Sequence, residues 1–305
     1  MAVFQQMIIF VILMAVGAVA RRCGILTPEN QPQLTKLVVN VAYPAIILSG
    51  VTGEGARIGG SELLTACAVI LGMLALLLVC ARILPKLMGY PEGQQGAVDV
   101  MFVFTNIGFM GVPMIDSLYG KDALIYMTVL LIPFNLLFYS YVMLRLRGTK
   151  GKNAFTLKSL LNPGMAACVL AIVLYVADVR LPYAVSAPIR MLGSMTAPLA
   201  MMLLGSFLLE TRWKTLLSVR GFVFAAVKML ALPIAITLAL RLVTDNTYLL
   251  AVCMAALATP SGNVIPLLAA LYNKEAYPVT VEGVAITTAV SVVTMPLVAM
   301  AAGLG

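Results

Sequence analysis

Two stretches of this sequence set amides, hydroxyls, glycines and prolines into surroundings that are otherwise almost wholly apolar. The first is Thr105-Asn106-Ile107-Gly108-Phe109-Met110-Gly111-Val112-Pro113, and the second is Thr259-Pro260-Ser261-Gly262-Asn263-Val264-Ile265-Pro266. Proline removes a backbone donor and glycine frees the backbone, so each stretch predicts an interrupted helix. In hydrocarbon the groups freed by a break need partners, and breaks survive only beside protein or a water-filled cavity. Half-helix N-termini suit an anion, and the opposite ends offer carbonyls to a cation. Asn106 and Asn263 add donors and acceptors for a carboxylate or its water. The candidate substrate-binding residues are therefore Asn106, Gly108, Gly111, Pro113, Pro260, Ser261, Asn263 and Pro266. The plainer alternative is that the glycines and prolines only kink helices for packing.

Ionisable groups inside apolar segments are the second chemical signal, because a charge in lipid is costly. Lys228 lies about ten residues, roughly 15 Å, into its segment, too deep for its stem to reach the interface with ease. It is a candidate substrate ligand or charge compensator, with a structural ion pair as the alternative. Asp116, three residues after Pro113, is a candidate partner for Lys228, a cation ligand, a proton carrier or an interfacial residue. Glu282 is a second candidate proton carrier, although it and Asp99 sit near predicted segment ends, where an interfacial role is the simpler expectation. Thr259, with Asn106, Ser261, Asn263 and carbonyls, offers a sodium site. The residues leave Na+ coupling, H+ coupling and facilitated diffusion open. No histidine is present, and the five cysteines form no C-x-x-C pair, so no catalytic residue, metal site or cofactor is expected.

The elements that must hold these residues follow from composition. With 62% hydrophobic and 10% charged residues, the chain lacks the polar surface a soluble globule needs. Ten apolar segments suited to a hydrocarbon layer of about 30 Å are read at 3–20, 34–51, 62–84, 96–119, 122–144, 161–177, 186–209, 219–243, 247–271 and 279–302. Arg21-Arg22 follow the first segment instead of preceding it, so it is expected to be a retained helix and not a cleaved signal. Fourteen of the 20 Lys and Arg residues fall in odd-numbered connections and five in even-numbered ones. That asymmetry predicts cytoplasmic odd connections and both termini outside, and it accounts for the net charge of +8 without nucleic acid.

The chain also resembles itself. Val112-Pro113 and Leu118-Tyr119-Gly120-Lys121-Asp122-Ala123 recur as Ile265-Pro266 and Leu271-Tyr272-Asn273-Lys274-Glu275-Ala276, at an offset of 153 residues. Pro44 recurs as Pro198 at an offset of 154. Five spans per copy, an odd number, would turn the second copy upside down, a recurring plan of secondary transporters. The expected organisation is a first repeat over 1–146, a basic cytoplasmic linker over 147–160 and an inverted second repeat over 161–305.

Asn106-x-Gly108-Phe109-x-Gly111-x-Pro113 resembles the fourth-helix motif of the auxin efflux carrier family, which includes bacterial malate and malonate permeases. Arg21-Arg22, Gly24-Ile25-Leu26, Leu37-Val38-Val39-Asn40-Val41-Ala42 and Pro44 resemble its opening, and Pro260, Asn263, Ala270 and Tyr272 its ninth helix. The resemblance implies an all-α polytopic membrane protein of ten helices in two inverted five-helix repeats. Its broken helices four and nine would cross as in sodium–proton antiporters and bile-acid symporters. Helices one, two, six and seven would form a scaffold, and helices three to five and eight to ten a transport domain. It further implies a homodimer in a bacterial inner membrane carrying a small mono- or dicarboxylate by elevator-like alternating access, with lipid as the other partner. The long hydrophilic loop of the plant carriers is missing, which argues against auxin. The alternatives are a sodium-coupled, bile-acid-symporter-like carrier of another solute and a channel; no filter motif supports the channel.

Overall fold

The computed structural model describes residues 2–51, 59–147, 163–210 and 218–304. All but Arg147 of the predicted 147–160 linker lies outside the described residues. The described chain is helical between short connections: α1 (Ala2–Arg22), α2 (31–49), α3 (Gly60–Leu87), α4 (Glu92–Val103), α5 (Ile107–Tyr119) and α6 (Lys121–Leu146) come first. They are followed by α7 (Pro163–Val176), α8 (Tyr183–Leu209), α9 (Val219–Arg241), α10 (Thr247–Ala258), α11 (Val264–Tyr272) and α12 (Tyr277–Ala301). Among the described residues six helices are long and apolar enough to cross a membrane, namely residues Phe4–Arg22 of α1 together with α3, α6, α8, α9 and α12. Helices α5, α7 and α10 are apolar but shorter.

The predicted fourth segment divides into α4 and α5, and the ninth into α10 and α11. Prolines explain other irregularities. Wide π-type turns at Val38–Ala42, Ile107–Gly111 and Val227–Ala231 each end two residues before a proline, at Pro44, Pro113 and Pro233. A proline ring clashes with the carbonyl one turn back and cannot bond to it, and widening the preceding turn relieves both problems. Pro198 follows a comparable irregularity at Met195 in α8.

The chain forms two compact units. The first comprises Met1–Ala66, Gly108–Ile132 and Leu161–Thr211, and holds α1, α2, α7 and α8 whole. In it α1 lies along the second half of α8, with Gly17 against the Met202 carbonyl and Gly205 against the Met14 carbonyl. A side chain at either glycine would overlap backbone, the small-residue packing by which membrane helices approach closely. The second unit comprises Cys67–Ile107, Pro133–Leu160 and Arg212–Gly305. Its helix α12 packs on α9, α10, α11 and α4. Residues Gly96–Val103 of α4 and Leu249–Ala258 of α10 are all buried, as expected for α10, which is apolar on every side, whereas α4 carries Asp99 inside.

Candidate functional site

Within the second unit the two interruptions meet. Helix α4 stops at Val103, Phe104 turns extended at φ −98° and ψ 106°, and Thr105 forms an antiparallel bridge with Ser261. The Asn106 N–H donates to the Pro260 carbonyl at 2.6 Å, and the Gly262 N–H donates to the Phe104 carbonyl at 2.9 Å. The Ser261 hydroxyl donates to the Met101 carbonyl in the last turn of α4 at 2.9 Å, while the Ser261 N–H is held by the Thr287 hydroxyl of α12 at 3.2 Å. Each break thus supplies partners to the other, which is how backbone away from water keeps its polar groups satisfied.

The side chains around the bridge are less complete. Thr105 Oγ1, Asn106 Nδ2, Thr259 Oγ1, Asn263 Oδ1 and Thr288 Oγ1 are buried and make no hydrogen bond within the protein. Native proteins leave few buried polar atoms unpaired, so five beside one crossing point to a polar occupant. The unpaired set supplies one amide donor, at Asn106, one amide carbonyl acceptor, at Asn263, and three hydroxyls that can donate or accept.

Not every candidate joins this cluster. Asn106, Thr259, Pro260, Ser261, Asn263 and Pro266 belong to the second unit, whereas Gly108, Gly111, Pro113 and Asp116 belong to the first. Gly108 lies beside the Tyr43 ring of α2, where a Cβ would come within 3.2 Å of it. Pro113 begins the regular part of α5, and Asp116 on that helix is half-buried.

Lys228 is 1% exposed, and its ammonium donates to the Leu257 carbonyl at 2.8 Å. That carbonyl belongs to the last turn of α10, whose orphan acceptors carry the negative end of the helix dipole. Within the second unit the described partner of the Lys228 ammonium is thus a helix end. Glu282, in the second turn of α12, holds Oε1 buried without a hydrogen bond against the backbone of Gly221. Nearby, in the connection before α4, burial pushes the Tyr90 hydroxyl up to about 12; Glu282 acts the same way, and the Arg220 guanidinium, 5.3 Å from the ring centroid, opposes.

Asp99 is buried among side chains of its own unit. Its carboxylate has no exposure and accepts from the Tyr141 hydroxyl at 2.7 and 2.8 Å and from Arg145 Nε at 2.6 Å, with Arg82 at 3.7 Å. The Arg82 guanidinium also sits 5.5 Å from the Tyr141 ring centroid. A buried carboxylate persists when paired in this way. Tyr141 and Arg145, four residues apart on one helix face, were the sequence signal for this cluster.

An all-helical chain with apolar spans and two interruptions that pair through their backbones belongs to the class of integral membrane proteins that carry solutes. The chain is a member of the Membrane transport protein family, the membrane transport domain of the auxin efflux carriers, whose profile matches residues 2–299. This is a family of membrane transporters and not of enzymes. No curated protein matches the chain.

Proposed function

We propose that this protein carries a small organic anion, a mono- or dicarboxylate of the size of malate or malonate, by elevator-like alternating access across a bacterial inner membrane. The carrying observation is the bridge between Thr105 and Ser261, flanked by the unpaired amide of Asn106 and the unpaired oxygens of Thr105, Thr259, Asn263 and Thr288. An amide donor and a half-helix start suit one carboxylate, and the ammonium of Lys228 at the end of α10 adds positive potential on the same unit. The reading includes ten spans in two inverted repeats, both termini outside, and a homodimer. Collection of α1, α2, α7 and α8 in one compact unit supports a scaffold separate from a transport domain.

Reconstituted protein should show saturable counterflow of labelled malate or malonate, and Asn106→Ala and Asn263→Ala should each abolish most of it while leaving the protein folded in the membrane. Full counterflow in both variants overturns the assignment. A second reading, sodium-coupled transport of another organic solute, is favoured by the four unpaired oxygens at the crossing, three hydroxyls and one amide carbonyl, a donor set that suits a hard cation. Uptake of malate or malonate compared with that of other organic solutes, each in sodium and in choline, separates the two, since only the second reading expects a different solute whose transport is lost in choline.

A further inference from the structure

A cavity of about 750 Å³ opens in the second unit among residues that the transport reading does not use. Arg82 and Lys86 from the end of α3 and Arg145 from the end of α6 line it, together with Glu92, Gly93 and Glu275. The acidic and basic groups are sorted. Asp99, wholly buried behind the cavity, takes Nε of Arg145 at 2.6 Å and holds Arg82 at 3.7 Å. Asp99 thereby fixes Arg145 through Nε and not through the terminal nitrogens, and Arg82 is further fixed over the Tyr141 ring. Their side chains remain 25% and 48% exposed.

The two lining glutamates have a different partner. Glu92 is the first residue of α4, and the Glu275 carboxylate lies against Gly93 in the space a side chain there would fill. Asn273 fastens this loop by donating to the Gly93 carbonyl at 2.9 Å. Both carboxylates therefore face the positive end of the α4 dipole, which offsets their charge. Among the described residues neither forms an ion pair with Arg82, Lys86 or Arg145. Asp99 offsets one of the three basic charges, and among the described residues Lys86 meets no carboxylate.

We propose that Arg82, Lys86 and Arg145 form a second anion site, built from residues other than those of the helix interruptions, that takes a compact oxyanion such as a phosphate or carboxylate group. Preoriented guanidinium groups bind such anions through paired N–H donors, and a lysine adds a mobile charge. The basic residues of these connections are the ones whose placement predicts the cytoplasmic face, so the oxyanion comes either from solution or from an anionic lipid headgroup.

The test titrates inorganic phosphate onto the purified full chain at constant ionic strength and reads the unfolding temperature. Saturable stabilisation is expected for the parent. Lys86→Gln and Arg82→Gln should each weaken the apparent affinity by about tenfold, the loss of one charge-assisted contact. Glu275→Gln should hold or strengthen it, and Asn106→Ala should leave it unchanged. Lys86 is exposed and outside the Asp99 cluster, so its variant remains readable if Arg82→Gln fails to fold. A response that does not saturate, that survives Lys86→Gln undiminished, or that disappears in Asn106→Ala overturns the site. Nanodiscs of phosphatidylcholine with and without phosphatidylglycerol then assign the source. Loss of the phosphate response with phosphatidylglycerol supports a headgroup in the site, and its persistence supports a free anion there.

Discussion

Arg145→Gln removes the guanidinium that lies 2.6 Å from Asp99 and leaves a carboxylate with no solvent exposure facing one tyrosine and an arginine at 3.7 Å. Stranding one member of a buried pair costs about 3–5 kcal/mol. The reciprocal change is milder. Asp99→Asn frees two arginines that are already 25% and 48% exposed and can turn to water, and the new side chain still accepts from Tyr141. Its expected cost is about 1–2 kcal/mol, the loss of charge-assisted bonds without a stranded charge. The double variant Asp99→Asn, Arg145→Gln contains no stranded charge and should recover about 2 kcal/mol relative to the sum of the single variants. Urea unfolding of the four proteins in detergent closes the cycle. Equal losses in the two single variants, or simple additivity in the double, would refute the view that Asp99 is the member that cannot reach water.

Three further outcomes follow from contacts described above. Lys228→Gln should weaken anionic substrates more than neutral analogues in competition uptake; equal weakening would confine Lys228 to capping α10. Gly205→Leu should destabilise α1 against α8 by several kcal/mol because it drives a side chain into the Met14 carbonyl, and an unfolding temperature equal to that of the parent would contradict the close approach. Ser261→Ala removes the bond to the Met101 carbonyl and leaves that acceptor buried, with an expected loss of about 1–3 kcal/mol by the same unfolding measurement.

Much of the helical order was legible because hydrocarbon imposes a simple rule: apolar stretches must close their own hydrogen bonds. The interruptions were legible for the complementary reason, since Gly262 with Pro260 and Pro266 cannot continue a regular helix. What could not be read was which break would supply partners to which. Spacing along the chain does not say that the Ser261 hydroxyl will reach Met101, 160 residues away, or that Thr287 will hold the Ser261 amide. The environment of Lys228 was equally hidden, because a carbonyl at a helix end leaves no mark on side-chain identity. The burial of Asp99 was not legible, because neighbours on α3 and α6 decide it and distance from a segment end does not. Tyr141 and Arg145, the two partners of Asp99 on α6, lie four residues apart, so the signal existed but was overshadowed by the basic residues around it.

Beyond its exposed first residues, Thr247 and Tyr248, helix α10 is sheathed, since every residue from Leu249 to Ala258 is buried. A rod sheathed all round cannot slip past its neighbours alone without opening voids along its length, and close-packed interiors resist that. On the elevator reading proposed above, Ser261 and the segment it pairs with would be passengers, conveyed with the surrounding bundle as one piece. The slender residues Ala251, Ala255, Ala256 and Ala258 also leave bulkier tenants no berth on that rod.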